Sequence, residues 1–339
     1  MHNLILAYNN FSEINVSREF LSNAIENYLK SLTFISNSIP RFTNDVFVDM
    51  TSLTSLTISG EIILNVQSLE NALYGLNTTL KAMKLEEQYW HYLPYNIFGS
   101  PSINNITNIS LAKNTISNLS LTPFADLHNL RIFGLSMNIL IEFSVASIVS
   151  IESLILAKND IVRLPKFCSV LHPYNSNVPK LKIMDLSRNA LSFLLPSMFK
   201  CLPSLETLRL NLNRFNTLCN YLFRGVPNLK VLFIQQNFEL KIIEKFAFNI
   251  SSLKFFYFGY NSFRFDKSGR KSRFDPTNIF KHLPRLQHLD LTNNYLPSDN
   301  NTLSLIFQYL SNLENLILQA ANVHELHWRV FQPLKSLRK

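Results

Sequence analysis

The chain has 339 residues, of which 47% are apolar and 16% are charged, and it carries a formal net charge of +9. This apolar content excludes a disordered chain. The sequence contains no run of about 18 or more uncharged apolar residues, which is the length that a membrane span requires. Three cysteines are too few for a dense disulfide framework, and their spacing matches no zinc-binding pattern.

Leucine and asparagine dominate the composition, with 55 Leu and 39 Asn, and they recur together as Leu-x-x-Leu-x-Leu-x-x-Asn. In chain order the repeats begin at Met1, Leu29, Leu53, Leu80, Ile106, Leu130, Ile151, Leu181, Leu205, Leu229, Leu253, Leu286 and Leu313. A further copy starts at Leu337 and is incomplete. Successive repeats start 21–33 residues apart. Because recurrence at intervals of this length indicates a solenoid, we predict a single array of about thirteen repeats over residues 1–339.

The last position of the repeat is Asn in ten of the thirteen copies. An amide side chain offers donors and an acceptor, so it can satisfy backbone groups where each strand turns away. The predicted structural ladder consists of Asn9, Asn37, Asn114, Asn138, Asn159, Asn189, Asn213, Asn237, Asn261 and Asn294. Glu61, Gln88 and Ala321 occupy the same position in the other three repeats.

The Leu-x-Leu portion of each repeat predicts a short strand whose apolar side chains point to one side. A second signature is a phenylalanine six residues before the next repeat, at Phe47, Phe124, Phe199, Phe223, Phe280 and Phe331. These are the features of leucine-rich repeats. The predicted fold class is therefore an α/β solenoid, a leucine-rich-repeat horseshoe with a parallel sheet on its concave face and an irregular or short-helical convex side.

The phenylalanine-containing segments Ser192–Pro203 and Leu222–Val231 resemble repeats of Toll-like receptor ectodomains. The resemblance implies a pattern-recognition receptor of innate immune signalling, which binds a microbial or other ligand and forms a homodimer or a heterodimer with another receptor chain. It also implies a location on the extracellular face of a membrane receptor. No signal peptide, cysteine-rich cap or membrane helix is found in the sequence, so we interpret the array as truncated at both ends. The alternative is an extracellular leucine-rich-repeat adhesion or matrix protein that binds another protein.

Aromatic side chains cluster at the strand positions that should face away from the core. Since neighbouring strands lie about 4.8 Å apart, equivalent positions should form columns across the sheet. One predicted exposed column is Arg209, Phe233, Tyr257 and Asp290, and the next is Thr207, Val231, Phe255 and His288, with Tyr260 just beyond its strand. Exposed aromatic and Arg side chains are typical of a ligand or partner surface. The alternative is a cross-strand ladder that stabilises the sheet, or a face covered by the neighbouring insert.

The longest repeat, which begins at Leu253, contains an insert over residues 262–279. Its cations are Arg264, Lys267, Arg270, Lys271 and Arg273. Clustered positive charge attracts acidic or phosphate-bearing molecules, so the insert predicts a contribution to binding of an anionic microbial ligand such as nucleic acid or a glycolipid. The alternative is a solvated basic loop that has no partner.

Smaller signals concern modification and chemistry. Cys168, Cys201 and Cys219 lie at different offsets within their repeats, so pairing between turns is not obvious and buried free thiols are predicted.

Possible N-glycosylation sites are Asn10, Asn15, Asn77, Asn105, Asn118, Asn249 and Asn300, whereas the sequon at Asn108 lies inside a predicted strand. His324 and His327 have no third ligand nearby, and no catalytic motif occurs. We therefore expect no cofactor, no metal site and no enzymatic activity.

Overall fold

The computed structural model describes residues 2–21, 28–76, 80–99, 103–120, 124, 126–144, 149–170, 175–265, 275–323 and 325–338. It divides into two compact units, Met1–Asp160 and Ile161–Lys339. In each unit, every repeat contributes one short strand that pairs in parallel with the strand of a neighbouring repeat. No helix among these residues is long and apolar enough to cross a membrane.

The strands of the first unit are β1 (Asn3–Ala7), β2 (Asn15–Val16), β3 (Ser31–Ile35), β4 (Arg41–Phe42), β5 (Ser55–Ser59), β6 (Ala82–Glu86), β7 (Asn108–Ser110), β8 (Asn118–Ser120), β9 (Ile132–Gly134), β10 (Glu142–Ser144) and β11 (Ser153–Ile155). Seven of them are parallel and joined in the order β1-β3-β5-β6-β7-β9-β11, and the others form the pairs β2–β4 and β8–β10. The segments that connect them include α-helices at Arg18–Leu21 and Val66–Tyr74 and a 3₁₀ helix at Tyr95–Gly99.

The strands of the second unit are β12 (Ile183–Asp185), β13 (Thr207–Arg209), β14 (Thr217–Leu218), β15 (Val231–Phe233), β16 (Ile242–Ile243), β17 (Phe255–Tyr257), β18 (His288–Asp290) and β19 (Asn315–Ile317). Six of them are parallel in the order β12-β13-β15-β17-β18-β19, and β14 and β16 form a separate pair. An α-helix spans Asn300–Phe307, and 3₁₀ helices span Pro196–Phe199, Pro276–Asn278 and Trp328–Phe331. These features confirm the predicted α/β leucine-rich-repeat solenoid with a parallel sheet and short helical returns.

The apolar positions of the repeat form the core of each unit. Along β13, Leu208 is fully buried while its neighbours Thr207 and Arg209 are half-buried on the opposite side, which we call the open face. Full burial of a Leu or Phe side chain contributes about 1.5–3 kcal/mol, so the Leu positions supply most of the driving force for stacking. Of the six phenylalanines in the return segments, five are buried and Phe331 is half-buried.

The asparagine side chains link each repeat to its neighbours, as Asn213 illustrates. Its Nδ2 donates to the carbonyl oxygens of Leu186, at 3.0 Å, and Leu210, at 3.1 Å, while its Oδ1 accepts from the amide of Leu191, at 3.2 Å. Donation to a carbonyl of the preceding repeat and to one of the same repeat recurs at Asn114, Asn138, Asn159, Asn261 and Asn294. Asn9 differs because it is exposed, and it bonds to Ala7 and Asn37.

A left-handed backbone residue stands immediately before the Asn position in every repeat, which the Leu and Asn pattern does not reveal. These residues are Tyr8, Ser36, Gly60, Glu87, Lys113, Met137, Lys158, Arg188, Leu212, Gln236, Tyr260, Asn293 and Ala320, and all have φ between +50° and +68°. Only one of them is glycine, although the conformation costs other residues about 1–2 kcal/mol. The strand must therefore turn at this point in each repeat, and in nine of the thirteen repeats a buried asparagine follows the turn.

The prediction of free thiols is wrong for two of the three cysteines. Cys168 and Cys201 form a disulfide with a Cα–Cα distance of 5.2 Å. Cys168 lies in the enlarged return of its repeat and forms an isolated antiparallel bridge to Ser176, and the disulfide joins this return to that of the next repeat. Cys219 is free and half-buried; its thiol donates to the carbonyl of Leu194, and burial raises its pKa.

Candidate functional site

The strand register of the second unit places the predicted columns side by side on the open face. Arg209 pairs with Phe233, and Phe233 pairs with Tyr257. In the neighbouring column Phe255 pairs with His288. The repeat spacing alone accounts for this arrangement, because each repeat presents the same two positions on the same side of the sheet.

Four side chains of these columns pack into one continuous series, which we call the aromatic stack: Arg209, Phe233, Tyr257 and His288. The Arg209 guanidinium lies 5.2 Å from the centre of the Phe233 ring. Phe233 and Tyr257 stack nearly parallel with centroids 4.4 Å apart, and the His288 ring centroid lies 4.8 Å from that of Tyr257. Each aromatic contact of this kind contributes about 0.5–1.5 kcal/mol. Phe233 thus has a group against each face, and Tyr257 has Phe233 against one face and the His288 ring, tilted by 41°, against the other. The stack therefore offers mainly ring edges to an incoming molecule.

Asp290 does not belong to an exposed column, contrary to the sequence prediction. It is buried, with only 7% of its surface accessible. Its Oδ1 accepts from the amide of Thr292, at 2.9 Å, and its Oδ2 accepts from the side chain of Gln235, at 3.1 Å. The physical reason lies in Gly259, where a Cβ would stand 3.1 Å from Oδ2. The absent side chain leaves room for the carboxylate to lie against the sheet.

His288 closes one end of the aromatic stack, in surroundings that disfavour its charged form. Burial lowers its pKa below 6.5, and the nearby carboxylate of Asp290 opposes the shift without cancelling it. Its Nε2 atom is buried and has no hydrogen-bond partner within the described part of the chain. A neutral ring suits this position, because a charged imidazole would lack solvation.

The other predicted binding residues lie around the stack to different extents. Phe255 is 37% exposed and Tyr260 is 42% exposed, so both can be reached from solvent. Arg264 pairs with Tyr295 in an isolated bridge and places its guanidinium 5.1 Å from that ring. The remaining insert cations, Lys267, Arg270, Lys271 and Arg273, lie outside the described residues. The basic insert therefore remains a prediction.

The open face of the first unit has a different chemistry. Its open-face strand positions include the small polar side chains Ser31, Thr33, Ser55, Thr57 and Ser110, and none of these positions on the described strands is aromatic. These residues alternate with buried Leu, Ile and Phe along the strands, as in the second unit. Aromatic stacking is therefore not required to form the sheet, and the concentration of rings on β15, β17 and β18 is a local feature.

The predicted glycosylation sites differ in their accessibility. Asn10, Asn15, Asn118 and Asn249 are exposed, and Asn105 and Asn300 are half-buried. Asn15 and Asn118 belong to β2 and β8. Asn77 lies outside the described residues, as does His324. Within the part of the chain that the structure describes, no cluster of His, Cys, Asp or Glu side chains could hold a metal ion.

Comparison with known proteins agrees with the repeat architecture. The sequence model of the leucine rich repeat family matches residues 169–215. A search of curated protein sequences finds no significant match. Solved structures, in contrast, match along nearly the whole chain.

Three structures illustrate the similarity. TLR13 in complex with ssRNA13 aligns over 98% of this chain and 51% of its own, with a TM-score of 0.72 and 18% identity. Mouse RP105 in complex with MD-1 aligns over 93% of this chain and 49% of its own, with a TM-score of 0.70 and 18% identity. An internalin from Listeria monocytogenes aligns over 100% of this chain and 86% of its own, with a TM-score of 0.61 and 18% identity.

The chain spans about half the length of the first two structures. At this level of identity the similarity establishes the fold. The protein is thus a leucine-rich-repeat solenoid whose fold resembles that of Toll-like receptor ectodomains.

Proposed function

We propose that this chain is the ligand-binding part of a Toll-like pattern-recognition receptor in innate immune signalling. It binds its partner on the open face of the second unit, at the aromatic stack together with Phe255 and Tyr260. The protein acts as an interaction scaffold rather than as an enzyme. The two compact units form one array of about thirteen repeats in this proposal, and partner binding brings two such chains together.

The observation that carries this proposal is that neighbouring groups pack against the ring faces of Phe233 and Tyr257 in the aromatic stack. Single-stranded nucleic acids bind proteins mainly by stacking bases on free aromatic faces, and the faces of Phe233 and Tyr257 are already covered. Ring edges beside a guanidinium suit the apolar and hydrogen-bonding groups of a protein surface instead. Side chains fixed by their neighbours lose little conformational entropy on binding. The stack therefore favours a protein partner over RNA, although the related TLR13 fold is found with ssRNA13.

An extracellular location is part of the same proposal. Disulfides persist in oxidising compartments and are rare in the cytosol. The bond between Cys168 and Cys201 is consistent with a secreted or surface-exposed chain. We propose the extracellular face of a membrane receptor as the location of the full-length protein.

Selection of peptides against the open face tests the proposal. Random linear peptides displayed on phage are selected on the wild-type chain. We expect synthetic versions of the selected peptides to bind wild type and to lose at least tenfold in affinity for a Phe255→Ser/Tyr257→Ser variant. A matched control variant, Thr33→Ala/Thr57→Ala, changes the open face of the first unit and should bind normally.

Two results would contradict the proposal. If the peptides bind the Phe255→Ser/Tyr257→Ser variant as tightly as wild type, the aromatic stack is not the binding surface. If single-stranded RNA binds the stack at physiological salt and competes with every peptide, the preference for protein is wrong. Sedimentation with saturating peptide separates the receptor from the alternative function, a leucine-rich-repeat adhesion protein. A receptor should dimerise on binding, and an adhesion module should remain a monomer.

A further inference from the structure

The second unit contains a cleft of about 490 Å³ between the return segments of two neighbouring repeats. Tyr221 and Arg224 line it from one repeat, and Asn249, Ser251 and Ser252 line it from the next. These residues belong to the returns that connect one strand to the next, so the cleft is separate from the open face. Its lining combines an aromatic ring, a cation and several hydrogen-bonding groups.

A sequon forms one wall of this cleft. Asn249 is exposed and lies outside the strands, and a turn closed by the bond from the Leu253 amide to the Ile250 carbonyl, at 3.1 Å, places Ser251 at an exposed position. No hydrogen bond engages the Asn249 side-chain amide among the described residues. The two groups that a glycosylating enzyme must reach, the amide and the hydroxyl two residues later, are thus both accessible.

Asn300 provides a contrast within the same unit. It is half-buried at the start of the helix Asn300–Phe307, and its Oδ1 accepts from the His327 amide at 3.2 Å. Its sequon lies in the first turn of the helix, so an enzyme would reach the amide only if that turn opened. Among the sequons of the second unit, Asn249 is therefore the one whose local structure already presents the acceptor.

Tyr221 supplies a surface on which a sugar ring can lie. Its ring stacks on Phe246 with centroids 5.2 Å apart and an interplanar angle of 11°, so that Phe246 fixes its orientation. The side chain of Tyr221 is still 42% exposed at the edge of the cleft. An aromatic ring packs against the apolar face of a pyranose, and the Arg224 guanidinium can donate to sugar hydroxyl oxygens.

We propose that Asn249 is N-glycosylated and that the first sugars of the glycan lie in this cleft against Tyr221. The amide nitrogen attacks C1 of an oligosaccharide carried on a lipid diphosphate. A C–N bond forms as the C–O bond to the diphosphate breaks, the lipid diphosphate leaves with the electron pair, and the amide loses one proton. This inference rests on the extracellular location in the proposed function.

Expression of the full chain behind a secretion leader in animal cells tests both parts. Glycopeptide mass spectrometry should find Asn249 occupied and Asn300 unmodified, and Ser251→Ala should abolish the modification at Asn249. The contact between the glycan and Tyr221 is then measured from the melting temperatures of wild type, Ser251→Ala, Tyr221→Ala and the double variant. The glycan should raise the melting temperature by about 1–2 °C in the wild-type background, a shift appropriate to one added aromatic contact in a chain of this size. It should have no effect where Tyr221 is replaced.

Tyr309→Ala is the matched control, because Tyr309 lies elsewhere in the second unit, next to Asn278 and Lys281. The stabilisation by the glycan should persist in that background. Tyr221→Leu replaces Tyr221→Ala if the latter does not fold. An unmodified Asn249 in secreted protein that carries glycans at other sequons overturns the site. Equal stabilisation with and without Tyr221 overturns the contact. Because the leader imposes export and peptide binding is measured separately, neither result depends on the receptor proposal.

Discussion

The asparagine ladder leads to a quantitative prediction at Asn213, which is 5% exposed. Replacement by Ala removes the donations from Nδ2 to the carbonyls of Leu186, Leu210 and Asn211, and it removes the acceptor of the Leu191 amide. The Leu186 carbonyl still accepts from Asn189 Nδ2, at 3.1 Å, but the Leu191 amide is left buried without its acceptor. A buried polar group without a partner costs about 1–3 kcal/mol and a lost hydrogen bond about 1 kcal/mol. We therefore expect Asn213→Ala to lower the free energy of unfolding by about 3–5 kcal/mol.

Urea unfolding followed by circular dichroism measures this loss, and amide hydrogen exchange localises it. The Leu191 amide should lose protection in the variant before the global transition. Asn216→Ala is the matched control, because Asn216 is exposed and its side chain bonds only to the neighbouring hydroxyl of Thr217 among the described residues. We expect that control to change stability by less than about 0.5 kcal/mol. A loss below about 1 kcal/mol at Asn213, with Leu191 protection unchanged, would refute the bridging role of the ladder.

Three further predictions concern the turn, the histidine and the disulfide. Lys158 is exposed and has a φ of +58°. Lys158→Val should therefore lower the free energy of unfolding by about 1–2 kcal/mol, whereas Lys158→Gly should not. Equal losses of the two variants in thermal unfolding would exclude backbone strain as the cause. Since burial lowers the pKa of His288 below 6.5, its contribution to stability is complete above pH 6.5 and is lost as the pH falls through the folded-state pKa. His288→Gln should flatten the melting temperature between pH 7 and pH 5, and an unchanged slope would exclude this group. The disulfide between Cys168 and Cys201 closes a sequence separation of 33 residues, so Cys168→Ser should cost about 3–4 kcal/mol in chemical unfolding; a chain equally stable with and without reductant would contradict it.

The periodic positions of this protein were predictable because each depends on local sequence and on the presence of a neighbouring copy. Leu side chains at two alternating positions of a strand are buried wherever the neighbouring repeat packs against them. The same argument predicts that Phe233 lies beside Tyr257, because both occupy the same position of consecutive repeats. Spacing by itself therefore determines fold and register, while the part played by the aromatic stack in binding remains a proposal.

Side-chain environments that depend on a third residue could not be predicted in this way. Asp290 occupies an open-face position in the repeat, yet it is buried, because Gly259 in the adjacent repeat leaves space that Gln235 helps to close. A glycine two residues beyond a strand, facing an acidic residue in the next repeat, is the signal that could have indicated this. The disulfide likewise depends on how two irregular returns approach each other, and periodicity carries no information about irregular segments.

The sequence by itself determined that this chain is a solenoid of leucine-rich repeats, because apolar and asparagine side chains recur at the interval that one stacked turn requires. The tertiary structure alone decided which exposed groups are available for chemistry. It closed the faces of Phe233 and Tyr257 through contacts with Arg209 and His288, and it left Asn249 accessible beside a cleft. The physical reason is that the repeat alone decides which positions form the apolar core. The accessibility of a position outside the core depends on the particular side chains around it.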